Sequence, residues 1–412
     1  MPPSAPPQIP GHLIANPHLL EELRHEVAEL LERGNNTRFP GAQPVSFARE
    51  HISELQRNEY FMCEKTDGVR CLLFLHWRNL GNAPEPVTLL IDRKNNYYEL
   101  QPPLYVPWPG DANDPNKFLF GTILDGELVH DYYVNEAKPR LIFYVFDCLA
   151  CDNANVTPRP YHKRLGKLVT QVFVPYNAWL KNNQRAPRPF VLRQKDNLSS
   201  YHLSNAFTQI LPNLRHGNDG LIFTCKSTPY EFGTDPHILK WKPPHENTID
   251  FKLRLGDFPL VRDAEGVCPD YNAKPTPFQL LVLHSQNNYR PFAHDLHVTD
   301  EEWEILKSLN QRLDGRIIEC YRDTSGRWRY KREDDGSPRW RDDKKDANHI
   351  STVNSVLDSI ENPVTEQDLR NVEARIRDAV MQLRRVEEQQ LQLQESDSKK
   401  RKLNDANLNG AH

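Results

Sequence analysis

A lysine that could act as a covalent nucleophile lies in the run Glu64-Lys65-Thr66-Asp67-Gly68-Val69-Arg70, at the start of an apolar stretch that predicts a buried strand. Burying an ammonium group without a partner is costly, so a lysine here would ordinarily turn outward into water. The pattern Lys-x-Asp-Gly is short and recurs in unrelated chains, and on its own it fits a solvated turn better than a reactive site. The charged residues that follow in the sequence favour a reactive site over a solvated turn.

Charged residues stand beside several other apolar runs that predict strands. Charges that flank strands at so many points can converge at one rim of a sheet. A rim with several cations and carboxylates is suited to a nucleoside triphosphate and its metal ion. The candidate cations are Arg70, Arg93, Lys240 and Lys242, the candidate acids are Glu127 and Asp219, and a later cluster contains Arg341, Asp343 and Lys344.

The spacing in Lys240-Trp241-Lys242 has a geometric reason. Side chains alternate along a strand, so both ammonium groups lie on one face while Trp241 points the other way into a core. Two such cations near Lys65, with partial burial, would favour its neutral amine, which is the form that attacks. They would also neutralise charge that develops on a phosphate.

The remaining candidates have less specific roles. Glu127 and Asp219 are oxygen ligands of the kind that Mg²⁺ or Mn²⁺ selects, although Glu127 could instead accept hydrogen bonds from ribose hydroxyls. Arg70 and Arg93 offer guanidinium forks to ribose or phosphate oxygens. Phe146 could stack on a base or belong to the core of its apolar strand.

The hydrophobic periodicity predicts an α+β chain. Leucines at helical spacing between Leu19 and Leu31 predict a helix, and apolar runs from Val69 to Phe146 predict interior strands. The pair Pro243-Pro244 marks a domain boundary, after which short strands separated by turns predict a small β-barrel. A closing helix is expected from Ala347 to Ile360.

Composition limits the class of protein. The net charge of -4, with 52 basic and 56 acidic residues, offers no overall field for a polyanion, so any nucleic-acid contact must be local. Seven cysteines without zinc-finger spacing indicate a reduced protein without structural zinc, and we interpret Cys148 and Cys151 as ordinary thiols. No apolar run is long enough to span a bilayer, and the Pro-rich start does not resemble a signal peptide.

The C-terminal region carries a heptad pattern from Leu369 to Leu393, interrupted at Gln390. This seam fits a helix packed on its own protein at least as well as an intermolecular coiled coil, because so few heptads are marginal in isolation. Lys399-Lys400-Arg401-Lys402 then indicates a mobile basic tail, which serves either as a nuclear import signal or as solvated chain.

The ordered series closely resembles the covalent nucleotidyltransferase superfamily, and within it the mRNA capping guanylyltransferases of the stand-alone fungal type. The likeness spans about residues 60 to 350 and rests on several motifs in order. The motifs are Lys65-Thr66-Asp67-Gly68-Val69-Arg70, Ile91-Asp92-Arg93, Leu124-Asp125-Gly126-Glu127, Phe146-Asp147, Asn218-Asp219-Gly220-Leu221-Ile222, Leu239-Lys240-Trp241-Lys242-Pro243-Pro244 and Arg341-Asp342-Asp343-Lys344-Lys345-Asp346-Ala347-Asn348.

This resemblance implies a nucleotidyltransferase domain of antiparallel sheets with flanking helices, then an OB-fold barrel and a C-terminal helix. It implies that Lys65 attacks the α-phosphorus of GTP, releases pyrophosphate, and passes the bound GMP to the 5′-diphosphate end of nascent mRNA. Arg341, Asp343 and Lys344 would act on the β- and γ-phosphates when the barrel closes. The guanine pocket is placed loosely near Phe146 and Lys226.

The expected segments are a disordered Pro-rich start at 1–17, the catalytic domain at 18–244, the OB-fold at 245–361, a helix or coiled coil at 362–396, and a basic disordered tail at 397–412. Expected partners are an RNA 5′-triphosphatase (the beta subunit), the mRNA end and, by family analogy, the phosphorylated tail of RNA polymerase II. The expected location is the nucleus.

Two alternatives remain open at this point. One is an ATP-dependent polynucleotide ligase of the same superfamily, since GTP and ATP present the same triphosphate. The other is a catalytically inactive scaffold that acts through its C-terminal helix, against which the intact lysine and phosphate-binding cations argue. A basic and aromatic hairpin from Arg327 to Trp340 could bind RNA, or could be an ordinary hairpin with a solvated face.

Overall fold

The fold is that of a computed structural model, which describes residues 6–79, 84–111, 114, 117–263, 266–333 and 335–409. The chain forms two compact units. The first contains Met1–Trp241 together with Glu366–His412, and the second contains Lys242–Thr365. The second unit is thus inserted between two parts of the first, and it begins close to the double proline.

The first unit contains two sheets. Its strands are β1 His12–Leu13, β2 Ala42–Ser46, β3 Tyr60–Thr66, β4 Val69–Asn79, β5 Pro84–Asp92, β6 Tyr97–Glu99, β7 Thr122–Asp131, β8 Arg140–Cys151, β9 Ala154–Asn155, β10 Val191–Gln194, β11 Leu198–Ser199, β12 Asn218–Cys225 and β13 Gly233–Trp241. The larger sheet has the order β1-β6-β5-β4-β7-β8-β10, with β9 beside β8. The smaller sheet has the order β11-β3-β12-β13-β2.

Most strand pairs in the first unit are antiparallel, as predicted. The exceptions are β10 with β8 and β13 with β2, which are parallel. The central strands of the larger sheet read as continuous apolar runs because both of their faces are covered: Leu72, Leu73 and Phe74 are all buried and belong to two separate hydrophobic clusters. The sheet therefore has a core on each face.

The helices of the first unit lie around these sheets. They are α1 Pro17–Leu30, α2 His51–Arg57, α3 Tyr161–Lys167, α4 Val174–Asn182 and the short α5 Leu203–Asn205, with π-helical segments at Leu168–Phe173 and Ala206–Ile210 and a 3₁₀ turn at Leu211–Asn213. The helix predicted between Leu19 and Leu31 corresponds to α1. Asn16 caps it, because its side chain accepts hydrogen bonds from the backbone N–H groups of His18 and Leu19.

The first residues depart from the expectation of disorder over 1–17. His12 and Leu13 pair with Glu99 and Tyr98 at the edge of the larger sheet, and Ile14 is buried in the core. An edge strand offers unused backbone hydrogen-bonding groups, and this short segment fills them. The rest of that prediction, at residues 1–5, lies outside the described residues.

The second unit is built around a five-stranded sheet of order β18-β17-β14-β19-β20, with a two-stranded hairpin at β15-β16. Its strands are β14 Ile249–Asp257, β15 Leu260–Asp263, β16 Gly266–Pro269, β17 Thr276–Ser285, β18 Asn288–Asp295, β19 Ile317–Arg322 and β20 Trp328–Tyr330, and its helices are a 3₁₀ turn at Pro244–Glu246, α6 Asp300–Ser308 and α7 Ile350–Glu361. The backbone N–H of His297 donates to the carbonyl of Trp328 at 2.8 Å and joins the two outer strands. The sheet closes into a small barrel, which is the arrangement that an OB-fold requires.

A long helix, α8 Glu366–Asn409, follows and belongs to the first unit. Leu369, Val372 and Ile376 of the heptad pattern are buried, whereas its later members Leu383, Val386 and Leu393 are exposed. The structure therefore supports the intramolecular interpretation for the first part of the helix. The helix continues to Asn409, through the segment for which a basic disordered tail is expected. No proline or glycine occurs between Glu366 and Asn409 to stop it. Within the described residues, no helix is both long and apolar enough to cross a membrane.

Candidate active site

Lys65 lies near the end of β3, where its ammonium Nζ is 2.7 Å from Oδ1 of Asp219 on the neighbouring strand β12. Both side chains are about one-quarter to one-fifth exposed, at 24% and 20%. The lysine was expected at the start of a strand, but it belongs to the preceding one, and a turn at Asp67 and Gly68 separates the two. The partner that a half-buried ammonium needs is Asp219, which the sequence had already selected for the same site.

The backbone around these residues explains their glycines. A β-carbon on Gly68 would lie 2.3 Å from the carbonyl oxygen of Leu128, so only glycine allows this close approach. Gly220 has a φ of 144°, in a region that favours glycine, at an irregularity in the pairing of β12 with β3. The pattern Lys-x-Asp-Gly is therefore a packing requirement at the turn that carries Lys65.

Strand register brings the predicted rim together. Arg70 on β4 is directly opposite Glu127 on β7, and Cys71 is opposite Asp92 at the end of β5. Arg93 follows β5 immediately and is exposed. The side chain of Glu127 also lies against Gly68, whose β-carbon would be 3.0 Å from its Cγ. These residues and Lys65 thus occupy one edge of the first unit.

Arg70 has protein partners on all sides. Its Nε donates to Oδ1 of Asp125 at 2.9 Å and its Nη2 to Oδ2 at 2.6 Å, while Nη1 donates to the carbonyl of Ala42. The hydroxyl of Tyr230 donates to the same Asp125 at 2.6 Å. Burial lowers the pKa of Arg70, but Asp125 and the tyrosine outweigh it and raise the pKa above the ordinary value. A direct contact between Arg70 and a nucleotide stays a prediction.

Phe146 is half-buried at the same edge, and the structure adds a cation that the sequence analysis missed. The guanidinium of Arg70 is 5.7 Å and the ammonium of Lys195 is 6.0 Å from the centre of the Phe146 ring. Lys195 is only 3% exposed and donates to the hydroxyl of Thr66, next to Lys65. Its signal in the sequence is weak, because Gln194-Lys195-Asp196 looks like any polar turn after a strand.

Lys240 and Trp241 end the last strand of the smaller sheet. Lys240 pairs with Ile222 in the strand that carries Asp219, and Trp241 is buried with its ring 5.3 Å from that of Phe207. The inward direction predicted for Trp241 is therefore confirmed. Lys242 follows the strand directly and is the first residue of the second unit, and the strand face that it is predicted to share with Lys240 stays a prediction.

Lys226 and Asp219 lie at opposite ends of one strand. Lys226 follows β12 at the end opposite to Asp219, because Cys225 pairs with Tyr60 whereas Asn218 pairs with Thr66. There its ammonium is 2.8 Å from Glu59. Lys226 is therefore at the far end of β12 from Asp219, and its place beside a base stays a prediction.

Arg341, Asp343 and Lys344 form a cluster inside the second unit. Asp343 accepts two hydrogen bonds from Arg341 at 3.0 and 3.1 Å, and it is 3.4 Å from Lys344. The remaining terminal nitrogen of Arg341 donates to Asp250 and to Glu319. The guanidinium is thus surrounded by carboxylates, and its action on a triphosphate stays a prediction.

The hairpin from Arg327 to Trp340 has mainly structural partners. Trp328 and Tyr330 are buried in the core of the barrel. Arg329 and Arg332 both donate to Glu302. The aromatic residues of this hairpin therefore belong to the barrel core, and RNA binding by its basic residues stays a prediction.

A divalent cation at this site would take some of its ligands from the protein and the others from the substrate and water. Among the described residues, no cluster of at least three His, Cys, Asp or Glu side chains could hold a metal on its own. Mg²⁺, however, is commonly bound by one or two carboxylates together with phosphate oxygens and water. The two half-exposed carboxylates of Asp219 and Glu127 fit that kind of site. Cys148 and Cys151 are buried side chains in an apolar strand, as expected of ordinary thiols.

Fold and site together define a covalent nucleotidyltransferase: a two-sheet domain presents a carboxylate-paired lysine at a strand end, and a small barrel follows in the chain. The sequence matches the family described as "mRNA capping enzyme, catalytic domain" over residues 7–244 and "mRNA capping enzyme, C-terminal domain" over residues 246–370.

Relatives extend the match along most of the chain. It is 42% identical over 378 residues to the "mRNA-capping enzyme subunit alpha" of Yarrowia lipolytica, covering 90% of this chain and 91% of that protein. The protein of the same name from Schizosaccharomyces pombe is 44% identical over 359 residues, covering 87% and 85%. The ATP-dependent DNA ligase of bacteriophage T7 matches at 14% identity with a TM-score of 0.32 over 76% of this chain and 98% of that one, a score too low to carry an argument.

The chain belongs to the mRNA capping enzyme family. The resemblance seen in the ordered motifs is thereby confirmed, and so is the prediction that the protein is an enzyme of the nucleotidyltransferase class.

Proposed function

We propose that this chain is an mRNA guanylyltransferase in which Lys65 carries the nucleotide. The amine of Lys65 attacks the α-phosphorus of GTP, a P–N bond forms, and the P–O bond to pyrophosphate breaks. The phosphoramidate then transfers GMP to the 5′-diphosphate end of mRNA and regenerates the lysine. The observation that carries the proposal is the partly buried Lys65, held at 2.7 Å from Asp219 in a chain of this family.

The Lys65–Asp219 pair has a consequence for the first step. A carboxylate at 2.7 Å accepts a hydrogen bond from the ammonium form, whereas the attack needs a neutral amine. The pair therefore has to loosen when GTP binds. Mg²⁺ or Mn²⁺ held by Asp219 and Glu127 would supply positive charge beside the amine and the phosphates.

Phe146 and Lys195 support a preference for guanine. The ring of Phe146 is half-exposed at the site and offers a face on which a base can stack. The Lys195 ammonium beside it is a donor only, so it fits the O6 acceptor of guanine and opposes the amino group that adenine carries at the same place.

The other charged residues divide between sugar and phosphate. Arg93 is proposed to bind ribose or phosphate oxygens, and Glu127 would accept hydrogen bonds from the ribose hydroxyls as the alternative to holding the metal. Arg70 keeps its predicted role with ribose or phosphate oxygens, and Asp125 fixes the plane of its guanidinium. Lys240 and Lys242 are proposed to neutralise the α-phosphate. From the second unit, Arg341, Asp343 and Lys344 are proposed to act on the pyrophosphate leaving group.

The names of the relatives support a partner. They are called alpha subunits, so we propose that this chain also functions with another subunit, an RNA 5′-triphosphatase that supplies the diphosphate end. The phosphorylated tail of RNA polymerase II is a further proposed partner. Both would place the protein in the nucleus.

The test is incubation of the purified protein with a divalent metal and, separately, α-³²P-labelled GTP and ATP, followed by a denaturing gel. We expect an acid-labile, base-stable labelled band with GTP only. Lys65→Ala and Lys65→Arg should both abolish the band, because a guanidinium is not a nucleophile at neutral pH. The exposed lysine variant Lys181→Ala is the matched control and should label normally.

The alternatives predict different gels. A band with ATP alone would indicate the ligase, and no band with either nucleotide would indicate the inactive scaffold. Labelling that survives in Lys65→Ala would contradict the assignment of the nucleophile.

A further inference from the structure

A chain of alternating charges lies behind the nucleophile strand, and the proposed mechanism does not use most of it. It runs from Lys195 through Glu64, His216 and Asp131 to Arg193. Oε1 of Glu64 is 3.6 Å from Nζ of Lys195 and also 3.6 Å from Nε2 of His216. Nδ1 of His216 is 2.8 Å from Asp131, which is 3.4 Å from Arg193.

The inner members of this chain are removed from water. The side chains of Lys195, Glu64, His216 and Asp131 are each exposed by 8% or less. Buried charges add little stability over well-packed apolar residues of the same size, so their presence calls for another role. Their position suggests one, because Glu64 immediately precedes Lys65 and Lys195 stands beside the ring of Phe146.

Glu64 is shared between two cations. It and Thr66 point to the buried side of β3, whereas Lys65 points to the half-exposed side. Lys195 donates to the hydroxyl of Thr66 and faces Glu64, so its ammonium is held by the residues on both sides of Lys65. If Glu64 had no second partner, Lys195 would be drawn fully to that carboxylate and away from a ligand.

His216 is the second partner. Its Nε2 is buried and has no hydrogen-bond partner among the described residues, and it faces Glu64. The groups around the ring are Asp131 from β7, Glu64 from β3 and the ring of Tyr144 from β8 at 5.1 Å, with Arg193 from β10 beyond Asp131. Burial lowers the pKa of His216, but the hydrogen bond to Asp131 and the nearby carboxylate of Glu64 outweigh it and raise the pKa. The imidazolium is therefore favoured.

We propose that Glu64 and His216 are positioning residues that hold the Lys195 ammonium charged and directed at the base edge of the bound nucleotide. This inference rests on the proposed function. His216 in its charged form keeps Glu64 from closing on Lys195, and Asp131 holds His216 in place. Lys195 then has a donor available for the O6 position, which is how the chain would set the choice of base.

The test compares GTP with 2-aminopurine riboside triphosphate, which lacks O6, by kcat/KM for formation of the covalent enzyme–nucleotide adduct. The wild type should prefer GTP. In His216→Asn the amide still donates to Asp131 but carries no charge toward Glu64, and the preference should fall about tenfold because a charged hydrogen bond is misdirected. Glu64→Gln should also lower the preference, for a different reason, because Lys195 loses the carboxylate that helps to hold it in place. His216→Gln, which can still donate to Glu64, should retain part of the preference.

The pH dependence separates this role from a purely structural one. As pH rises through the raised pKa of His216, the wild-type preference for GTP should decline toward that of His216→Asn, while the variant's preference stays constant over the same range. Equal preference and equal pH profiles in wild type and His216→Asn would overturn the inference. Thermal unfolding identifies any variant that fails to fold, and the comparison of preference and pH profile is then made with the variants that fold.

Failure of the inference differs from failure of the proposed function. If the wild type forms no adduct with GTP, the proposed function is wrong. If it forms the adduct but does not distinguish GTP from the analogue, or if the variants keep the wild-type preference, the function stands and the positioning role is wrong.

Discussion

Asp147 and Arg164 form an ion pair that is almost completely removed from water, directly after Phe146. The side chains are 5% and 1% exposed, and two hydrogen bonds of 2.8 Å join them. Arg164 also donates to the carbonyl groups of Arg159 and Thr228. Removing one member leaves an uncompensated buried charge, which is more costly than the loss of the contact itself.

We therefore expect Arg164→Met to lower the free energy of unfolding by about 3 to 5 kcal/mol, measured by urea denaturation. Arg140→Met is the matched control, because Arg140 forms the same kind of pair with Glu136 but on the surface. It should have a far smaller effect. Similar losses in the two variants would show that the Asp147–Arg164 pair contributes no more than a surface pair.

Asp343 gives a second prediction at the scale of single residues. Burial raises its pKa, but Arg341 and Lys344 outweigh this and lower the pKa from the ordinary 3.8 to about 2. The unfolded chain then binds this proton more readily than the folded one, so the stabilisation is complete above pH 3.8 and disappears as pH falls through the folded value. Solvent reduces its size, since the carboxylate is more than half exposed.

The expected result is a decline in the free energy of unfolding between pH 4 and pH 2 that is shallower in Asp343→Asn than in the wild type, measured by urea denaturation at each pH. The neutral amide has no proton to gain in this range. Parallel profiles for the two proteins would show that Asp343 is not held ionised by Arg341.

Some residues of the candidate site could be predicted from the sequence alone, and others could not. Lys65 and Asp219 were found because their motifs stand beside apolar runs, and the structure pairs them. Glu64, Lys195 and His216 gave no such signal, because a buried charge looks like a solvated one until its partners on other strands are known. Their partners are distant in the chain: Thr66 and Lys195 meet only because β3 and the segment after β10 are brought together by the fold.

At the scale of secondary-structure elements, the structure shows that the first part of α8 packs on the first unit. Glu373 accepts hydrogen bonds from the backbone and side chain of Ser204, and Arg384 pairs with Glu59 beside β3. Ile376 is completely buried, whereas Leu391 is 55% exposed. A heptad pattern is the same for a helix that packs on its own protein and for one that packs on another chain, so the sequence could only leave both open.

We expect Ile376→Ala to lower the free energy of unfolding of the first unit by about 2 to 5 kcal/mol, because it leaves a cavity under α8. Leu391→Ala, a truncation of similar size at an exposed position on the same helix, should change it by less than about 0.5 kcal/mol. Urea denaturation measures both. Equal effects would mean that the first part of α8 is not anchored more firmly than the second.

The same contacts change the expectation for a deletion. The heptad pattern alone predicts that a chain that ends near Thr365 keeps most of its chemistry, because the pattern gives no contact with the catalytic domain. In the structure, that deletion removes Leu369 and Ile376 from the first unit and leaves Glu59 without Arg384. We now expect the shortened chain to unfold at a lower urea concentration and to aggregate more readily, and a denaturation midpoint equal to that of the full chain would contradict this.

At the scale of the whole molecule, the first folded unit is built from two separate parts of the chain, with the second unit between them. The sequence predicted consecutive domains and a boundary near Pro243-Pro244, because a proline pair interrupts strands in a recognisable way. It did not predict that the last segment returns to the first unit. Such a return depends on which apolar face finds a complementary surface, and local periodicity carries no information about that surface.

The second unit has a hydrophobic core of its own, which leads to the last prediction. Phe251, Trp328 and Val353 belong to one buried cluster, and every member of that cluster lies between Ile249 and Ile360. A segment with its own core and a closed sheet meets the conditions for folding alone. The first unit is discontinuous, so a fragment ending at Trp241 lacks α8 whereas a fragment of residues 242–365 lacks nothing that packs in its core.

We expect the fragment of residues 242–365, expressed alone, to give dispersed amide signals in NMR and a single cooperative transition in urea. The fragment of residues 1–241 should lose more stability on separation from the full chain than the 242–365 fragment does. Adding residues 366–393 as a separate peptide should raise the denaturation midpoint of the 1–241 fragment, because the peptide restores the buried face of α8. An unfolded 242–365 fragment would show that the second unit needs the first one to fold. A 1–241 fragment that is indifferent to the peptide would show that α8 does not stabilise the first unit.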